Sequence, residues 1–180
     1  MIKILRLAAL AVLVTVIALA PAYANDHMVT VNVNLTDSHG IGPAVGTVTL
    51  ADTRYGVVLT PNLTNLTPGM LGFHVHTNPA CGPGFKQGDP VAGLAAGGHF
   101  DPFETGVHEG PYRAGHLGDL PPLFVAGDGT ATTPVLAPRL DVSFLKNRSL
   151  MVHLNGDNFS DQPAPLGGGG PRLACGVIGE

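Results

Sequence analysis

The clearest alternation of apolar and polar positions opens at Met28. Met28-Val29-Thr30-Val31-Asn32-Val33-Asn34-Leu35 repeats with period two and predicts a half-buried β-strand. Residues 46–51 and 56–60 read as two further strands, and Leu71-Gly72-Phe73-His74-Val75-His76-Thr77 as a fourth. From Asn78 to Leu123 neither the strand nor the helix period is sustained, and Gly, Pro, His and Asp dominate. A stretch of that length inside a compact domain is either functional or disordered. Phe124-Val125 and residues 131–136 flank Gly127-Asp128-Gly129, which signals a hairpin. Residues 150–154 form another strand. A second loop from Asn155 to Pro171 holds four consecutive glycines, and a short strand at 174–178 closes the chain. No internal repeat is present, and no segment patterns as a helix longer than a turn or two. Several short strands with Gly-rich turns predict an all-β sandwich or barrel.

The first residues are of another kind. Met1-Ile2-Lys3-Ile4-Leu5-Arg6 is a short basic region, residues 7–20 are apolar, and Pro21-Ala22-Tyr23-Ala24 ends in an A-x-A cleavage pattern. This is the layout of a secretory signal peptide, too short and wrongly flanked for a stable membrane span. Cleavage is expected after Ala24, leaving a single domain over 25–180 in the periplasm or outside the cell, with no membrane attachment after cleavage. Lys3 and Arg6 leave with the signal, so seven basic residues face thirteen acidic ones in the remainder, net −6. A chain this acidic, with no basic run, is a poor binder of nucleic acid. Two cysteines remain, Cys81 and Cys175, and in an exported chain a disulfide is the default for them.

Chemistry concentrates on the histidines. In a strand, residues i and i+2 share a face, so His74 and His76 point one way and Phe73 and Val75 the other. Two imidazoles on a rigid strand make half of a metal site. Six of the eight histidines fall between His74 and His153, with Asp119 among them. His99, His108, His116 and Asp119 lie in the long loop, which has few apolar residues to hold it; an N₃O donor set suits Zn²⁺. His74, His76 and His153 come from strands, and an open, all-imidazole site suits copper. Asp101, before Pro102, reads as a turn former. Glu104 and Glu109 read as solvated loop charges, His39 as a surface residue and Lys86 as a source of local positive potential. Asn34, Asn62 and Asn147 each have Thr or Ser two residues on, which we read as coincidence.

Taken together, Gly72-Phe73-His74-Val75-His76, Gly98-His99-Phe100-Asp101-Pro102, His108-Glu109-Gly110-Pro111, Gly115-His116-Leu117-Gly118-Asp119-Leu120, Met151-Val152-His153 and the run from Gly168 to Ile178 around Arg172 and Cys175 resemble the copper/zinc superoxide dismutases. The segment 156–170, with Asp157-Asn158 and Ser160-Asp161-Gln162-Pro163, is similar to the exported bacterial branch. The resemblance spans 29–178. It implies an eight-stranded Greek-key β-sandwich or barrel with two long functional loops, a monomer or homodimer, and dismutation of the superoxide anion to O₂ and H₂O₂ as antioxidant defence outside the cytoplasm. Copper is expected on His74, His76, His99 and His153, and zinc on His99, His108, His116 and Asp119, with His99 bridging. Asp157 is expected to link His74 to His108, Arg172 to receive the anion, and Cys81 to pair with Cys175.

Two other readings compete. A copper-binding or copper-delivery module without turnover has no use for Arg172 or for a bridging histidine, and a copper-only relative lacks His108, His116 and Asp119. One candidate falls outside the family pattern. Cleavage after Ala24 leaves Asn25-Asp26-His27 at the amino terminus. Its amine, two amide nitrogens and the His27 ring can form a square-planar set suited to Cu²⁺ or Ni²⁺.

Overall fold

In a computed structural model, the described residues are 27–179. The expected signal peptide, and Asn25 and Asp26 of the amino-terminal motif, lie outside them. Among the described residues no helix is long and apolar enough to cross a membrane. The protein is all-β. Its strands in chain order are β1 (Met28–Thr36), β2 (Ile41–Thr53), β3 (Gly56–Leu63), β4 (Gly69–Leu71), β5 (Phe73–His76), β6 (Gly84–Lys86), β7 (Asp89–Val91), β8 (Leu123–Val125), β9 (Val135–Ala137), β10 (Arg148–His153) and β11 (Arg172–Ile178). One α-helical turn, α1 (Val142–Leu145), precedes β10, and single 3₁₀ turns occur at Leu94–Ala96 and Leu166–Gly168. Among the described residues eleven strands occur where eight are expected, and five of them are only three residues long.

Seven strands make the main antiparallel sheet in the order β5-β10-β11-β1-β2-β3-β9, while β4 pairs with β8 and β6 with β7. The expected strand at Met28 runs as the alternation dictates, with Val31 and Val33 buried and Thr30 and Asn32 exposed. The second strand begins five residues earlier than its pattern suggests. Register shifts between Val33 and Asn34, where Gly46 and Ala44 are the successive partners, so Val45 is an extra residue. That bulge turns Val45 inward as well as Val48 and breaks the period of two. Gly46 has φ of 134°, and a Cβ there would run into the Asn62 carbonyl. The expected hairpin across residues 127–129 is corrected. The turn forms, with Ala126 N–H donating to Thr130 O and Gly129 N–H to Ala126 O, but β8 pairs with β4 and β9 with β3. The turn passes the chain from one sheet to another.

The core gathers inward residues of β1, β2, β3, β5 and β10 with Phe100, Leu117 and Leu120 from the long loop. Burying each such side chain stabilises by about 1.5–3 kcal/mol. The loop therefore packs by a few apolar anchors. It also covers the outer edge of β5: Phe100 N–H donates to Val75 O, Val75 N–H to Gly118 O, and Gly118 N–H to Phe100 O, each at 2.8 Å. An open edge strand is closed in this way, and β5 is buried on both faces, Phe73 and Val75 against the core and His74 and His76 under the loop.

On the opposite face of β10 and β11, Cys81 and Cys175 pack with Ala96 and Met151 and form a disulfide with Cα atoms 5.6 Å apart. It joins the loop to β11 across 94 residues of sequence. On the chain-entropy model a closure of that length contributes about 4–5 kcal/mol. Reduction and alkylation are expected to lower the unfolding free energy by about that amount, read from urea transitions of the oxidised and alkylated protein.

Candidate metal centre

Six imidazoles and one carboxylate meet where the long loop covers β5 and the end of β10. Backbone pairing places them: His74 lies opposite Asp119 and His76 opposite His99 in bridges between β5 and the loop, and β10 brings His153 alongside. Two donor groups result, His74, His76, His99 and His153 in one, and His99, His108, His116 and Asp119 in the other, each with ligand atoms within 4.8 Å of one another. All seven residues are buried. His99 belongs to both groups.

Hydrogen bonds fix which nitrogen each ring turns inward. A carbonyl can only accept, so His76 Nδ1–H donates to Gly97 O at 2.9 Å and His153 Nδ1–H to Gly170 O at 3.0 Å. Their Nε2 atoms are then bare and stand 3.3 Å apart. His74 Nε2–H donates to Asp157 Oδ2 at 2.7 Å and His108 Nε2–H to Asp157 Oδ1 at 2.9 Å, with the carboxylate fully buried between them. These three residues are also close enough to hold an ion, but protons already occupy the two nitrogens facing Asp157.

The residues fit two cations. Among buried side-chain atoms, His74 Nδ1, His99 Nε2, His108 Nδ1 and His116 Nδ1 have no hydrogen-bond partner. An orphaned buried polar atom costs about 1–3 kcal/mol, and here four occur inside the two donor groups. His108 Nδ1 is 3.0 Å from Asp119 Oδ2 and His116 Nδ1 is 3.4 Å from Oδ1. Those pairs are close but not aligned as hydrogen bonds, as befits donors directed at a shared ion. Three imidazoles with one carboxylate match zinc, and four imidazoles match copper.

Electrostatics favours the neutral ring at His74, His76, His99 and His153. Burial, reinforced by neighbouring His99, pushes His74 down to about 3 despite its bond to Asp157. Burial takes His153 to about 4 and holds His76 and His99 below the ordinary imidazole value. These rings are neutral at pH 7, as ligation requires. Burial works the same way on His108, but Asp119 and Asp157 at its two nitrogens outweigh it and raise it to about 9. Burial would raise Asp119, yet the adjacent His108 and His116 rings and the bond from His99 hold it far below the carboxylate range; His108 and His74 likewise depress Asp157.

Arg172 opens β11 next to the four-imidazole group. Its Nη1 donates to Gly93 O and its Nη2 to Gly97 O, both at 2.6 Å, so the arginine shares the Gly97 carbonyl with His76. Burial lowers its pKa. The remaining candidates fall away from the centre. Asp101 accepts from Thr105 Oγ1 and Gly106 N and is the expected turn former. His39, Lys86 and Glu104 are exposed and Glu109 is half-buried. His27 is exposed, belongs to neither group, and pairs its carbonyl with Asp52 N.

Several contributors carry no sequence signal. The Gly97 and Gly170 carbonyls are backbone groups that any residue could supply. Asp161 accepts from His108 N and Leu166 N, tying the second loop to the first; its place in the 156–170 segment marks it but gives no role.

Comparison with known proteins is consistent with this geometry. The family model for copper/zinc superoxide dismutase (SODC) matches residues 44–178. The Cu-Zn superoxide dismutase 1 of Salmonella typhimurium is 56% identical over 155 residues, 85% of this chain and 88% of that one. The Cu-Zn enzyme of Escherichia coli K12 is 51% identical over 170 residues, 94% and 96% of the two chains. The Cu/Zn superoxide dismutase structure from Brucella abortus superposes with a TM-score of 0.83 at 50% identity, covering 84% of this chain and 99% of that one. These matches make this all-β protein with its paired donor groups a metal-dependent oxidoreductase, and the chain belongs to the copper/zinc superoxide dismutase family. Its cofactors are copper and zinc and its substrate is superoxide. Metal analysis of the purified, reconstituted protein is expected to give one copper and one zinc per chain, since there are two donor groups, each able to hold one ion; a single metal species would contradict the paired reading.

Proposed function

We propose that copper is held by His74 through Nδ1 and by His76, His99 and His153 through Nε2, and zinc by Nδ1 of His99, His108 and His116 with Asp119. The observation that carries this division is the set of outward bonds to Gly97 O, Gly170 O and Asp157, which leaves one bare nitrogen per ring on the inner side. When bound, copper supplies the one-electron couple that converts one superoxide to O₂ and a second to H₂O₂, and zinc supplies a fixed charge. The protein provides the rest. His99 keeps Nδ1 beside Asp119 at 2.9 Å, so its Nε2, whenever it is not held by copper, could carry a proton toward the forming peroxide. Asp157 fixes the ring planes of His74 and His108 together, so the two donor groups are oriented by one carboxylate.

Arg172 receives the anion. A guanidinium has five N–H donors, and two are committed to Gly93 and Gly97. The other three remain for a substrate oxygen. Residues 1–24 act as the signal peptide and 25–180 as the exported enzyme. The A-x-A pattern and the disulfide both support a compartment outside the cytoplasm.

Two variants test the division of ligands. Asp119→Ala is expected to lose zinc, and His153→Ala to lose dismutase activity while retaining zinc, in metal analysis paired with a superoxide-decay assay. Wild type loaded with both ions that leaves superoxide decay unchanged would overturn the function itself. Arg172→Glu is expected to slow the reaction far more than it changes metal content. The wild-type rate should fall as salt screens the anion's approach, over a Debye length of about 8–10 Å near physiological ionic strength. Equal rates for the two proteins at low salt would remove Arg172 from the reaction.

A further inference from the structure

Arg139 lies just beyond β9, between buried Ala137 and Leu140, and is itself half-buried. Its guanidinium reaches the long loop and donates to three backbone carbonyls there: Nε to Pro111 O at 3.2 Å, Nη1 to Gly115 O at 2.9 Å, and Nη2 to His116 O. Gly115 O and His116 N belong to one peptide plane. Arg139 holds the oxygen side of that plane and Val107 O holds the nitrogen side, accepting from His116 N at 3.0 Å. The next plane is held through His116 O, which also accepts from Asp119 N at 3.4 Å. Both peptide planes flanking the His116 Cα are therefore pinned. With them φ, ψ and the direction of the Cα–Cβ bond are set.

We propose that Arg139 is a positioning residue for the zinc site, a clamp that aims His116, and through its carbonyl Asp119, before any metal arrives. The proposal rests on the assignment of His116 as a zinc ligand. Three features favour a clamp over a general prop. All three acceptors lie within six residues of loop that runs into two proposed ligands. Among the described residues no backbone N–H donates to Pro111 O or Gly115 O, and the guanidinium supplies their hydrogen bonds. The anchor is outside the loop, beside a strand paired to the main sheet, so it can transmit the position of the sheet to the ligands. The contact needs a planar fork. Lysine, a single ammonium on a flexible stem, can keep the charge but cannot span three carbonyls in one geometry.

The test starts from the fully metallated protein and follows transfer of zinc and copper to a competing chelator in wild type, Arg139→Lys, Arg139→Ala and His116→Ala. Arg139→Lys is expected to weaken zinc retention about 10–100-fold, the range for groups that orient metal ligands, with copper retention near wild type. Cobalt placed in the zinc site should show a weaker, shifted visible band in Arg139→Lys, and ethylguanidinium should restore zinc retention to Arg139→Ala. If Arg139→Ala fails to fold, the Lys variant decides. Wild-type zinc retention in Arg139→Lys, or equal loss of both metals in step with a lowered melting temperature, overturns the clamp. His116→Ala separates the two layers: if it loses zinc while Arg139→Lys keeps it, the clamp fails and the ligand assignment stands, and if it keeps zinc, the assignment fails and the clamp with it.

Discussion

An imidazole presents its lone pair to a metal from a fixed nitrogen and in a fixed direction when the proton on its other nitrogen is held by an acceptor. That constraint organises this protein. His76 and His153 discharge theirs to backbone carbonyls, and His74 and His108 share the two oxygens of Asp157. Each ring is thereby fixed in tautomer and in plane, because the hydrogen bond is directional. His99 differs from these. Its Nδ1–H donates to Asp119, itself a member of the second donor group, and its Nε2 is buried without a partner among the first group. A ring placed in that way belongs to both donor groups, and the pairing of the two sites follows from its position.

The acceptors come from loops, and loops must be ordered at about 1–2 kcal/mol per residue. The long loop meets this cost by joining the sheet. Its hydrogen bonds to β5 at Val75, its anchors Phe100, Leu117 and Leu120, and its disulfide to β11 make it part of the fold. The backbone bonds that close the edge of β5 also set His76 against His99 and His74 against Asp119. The second loop is attached by fewer residues, through Asp157, Asp161 and the Gly167 turn. Gly167 has φ of 71°, and a Cβ there would fall 2.7 Å from His108 Nε2. A side chain at that position would push into the bond between His108 and Asp157 that joins the two halves of the centre.

How much of this the sequence discloses depends on whether a feature lives in side chains or in backbone. The histidine spacing and the alternation at β1 and β5 are side-chain patterns, and both were legible. The bulge at Val45 hid the start of β2, because an extra residue erases the period of two that reveals a strand. The sheet change after β8 was hidden for another reason: Gly127-Asp128-Gly129 specifies a turn, while the partners of the flanking strands are chosen by residues far away in the chain. Gly97, Gly170 and the carbonyls held by Arg139 act through backbone oxygen, which every residue has. A side chain whose partners are carbonyls leaves no spacing to read, and an isolated arginine after Pro138 resembles a surface charge until its neighbours are known.

The charge balance is resolved by where the charges sit. An enzyme with an excess of acids has to draw in an anion, and net charge alone argues against it. Yet the two carboxylates at the centre, Asp119 and Asp157, are buried and committed to imidazoles. Arg172 is treated oppositely. Its bonds run to two neutral carbonyls and to no carboxylate, so its position is fixed while its charge stays uncompensated. Held beside the four-imidazole group, that charge and those of the ions act across a few ångströms, where screening is slight. The acids on the outer surface act at distances that salt largely cancels. On the proposed assignment, the field an approaching superoxide meets at close range would be set by Arg172 and the metals rather than by the overall sign of the chain.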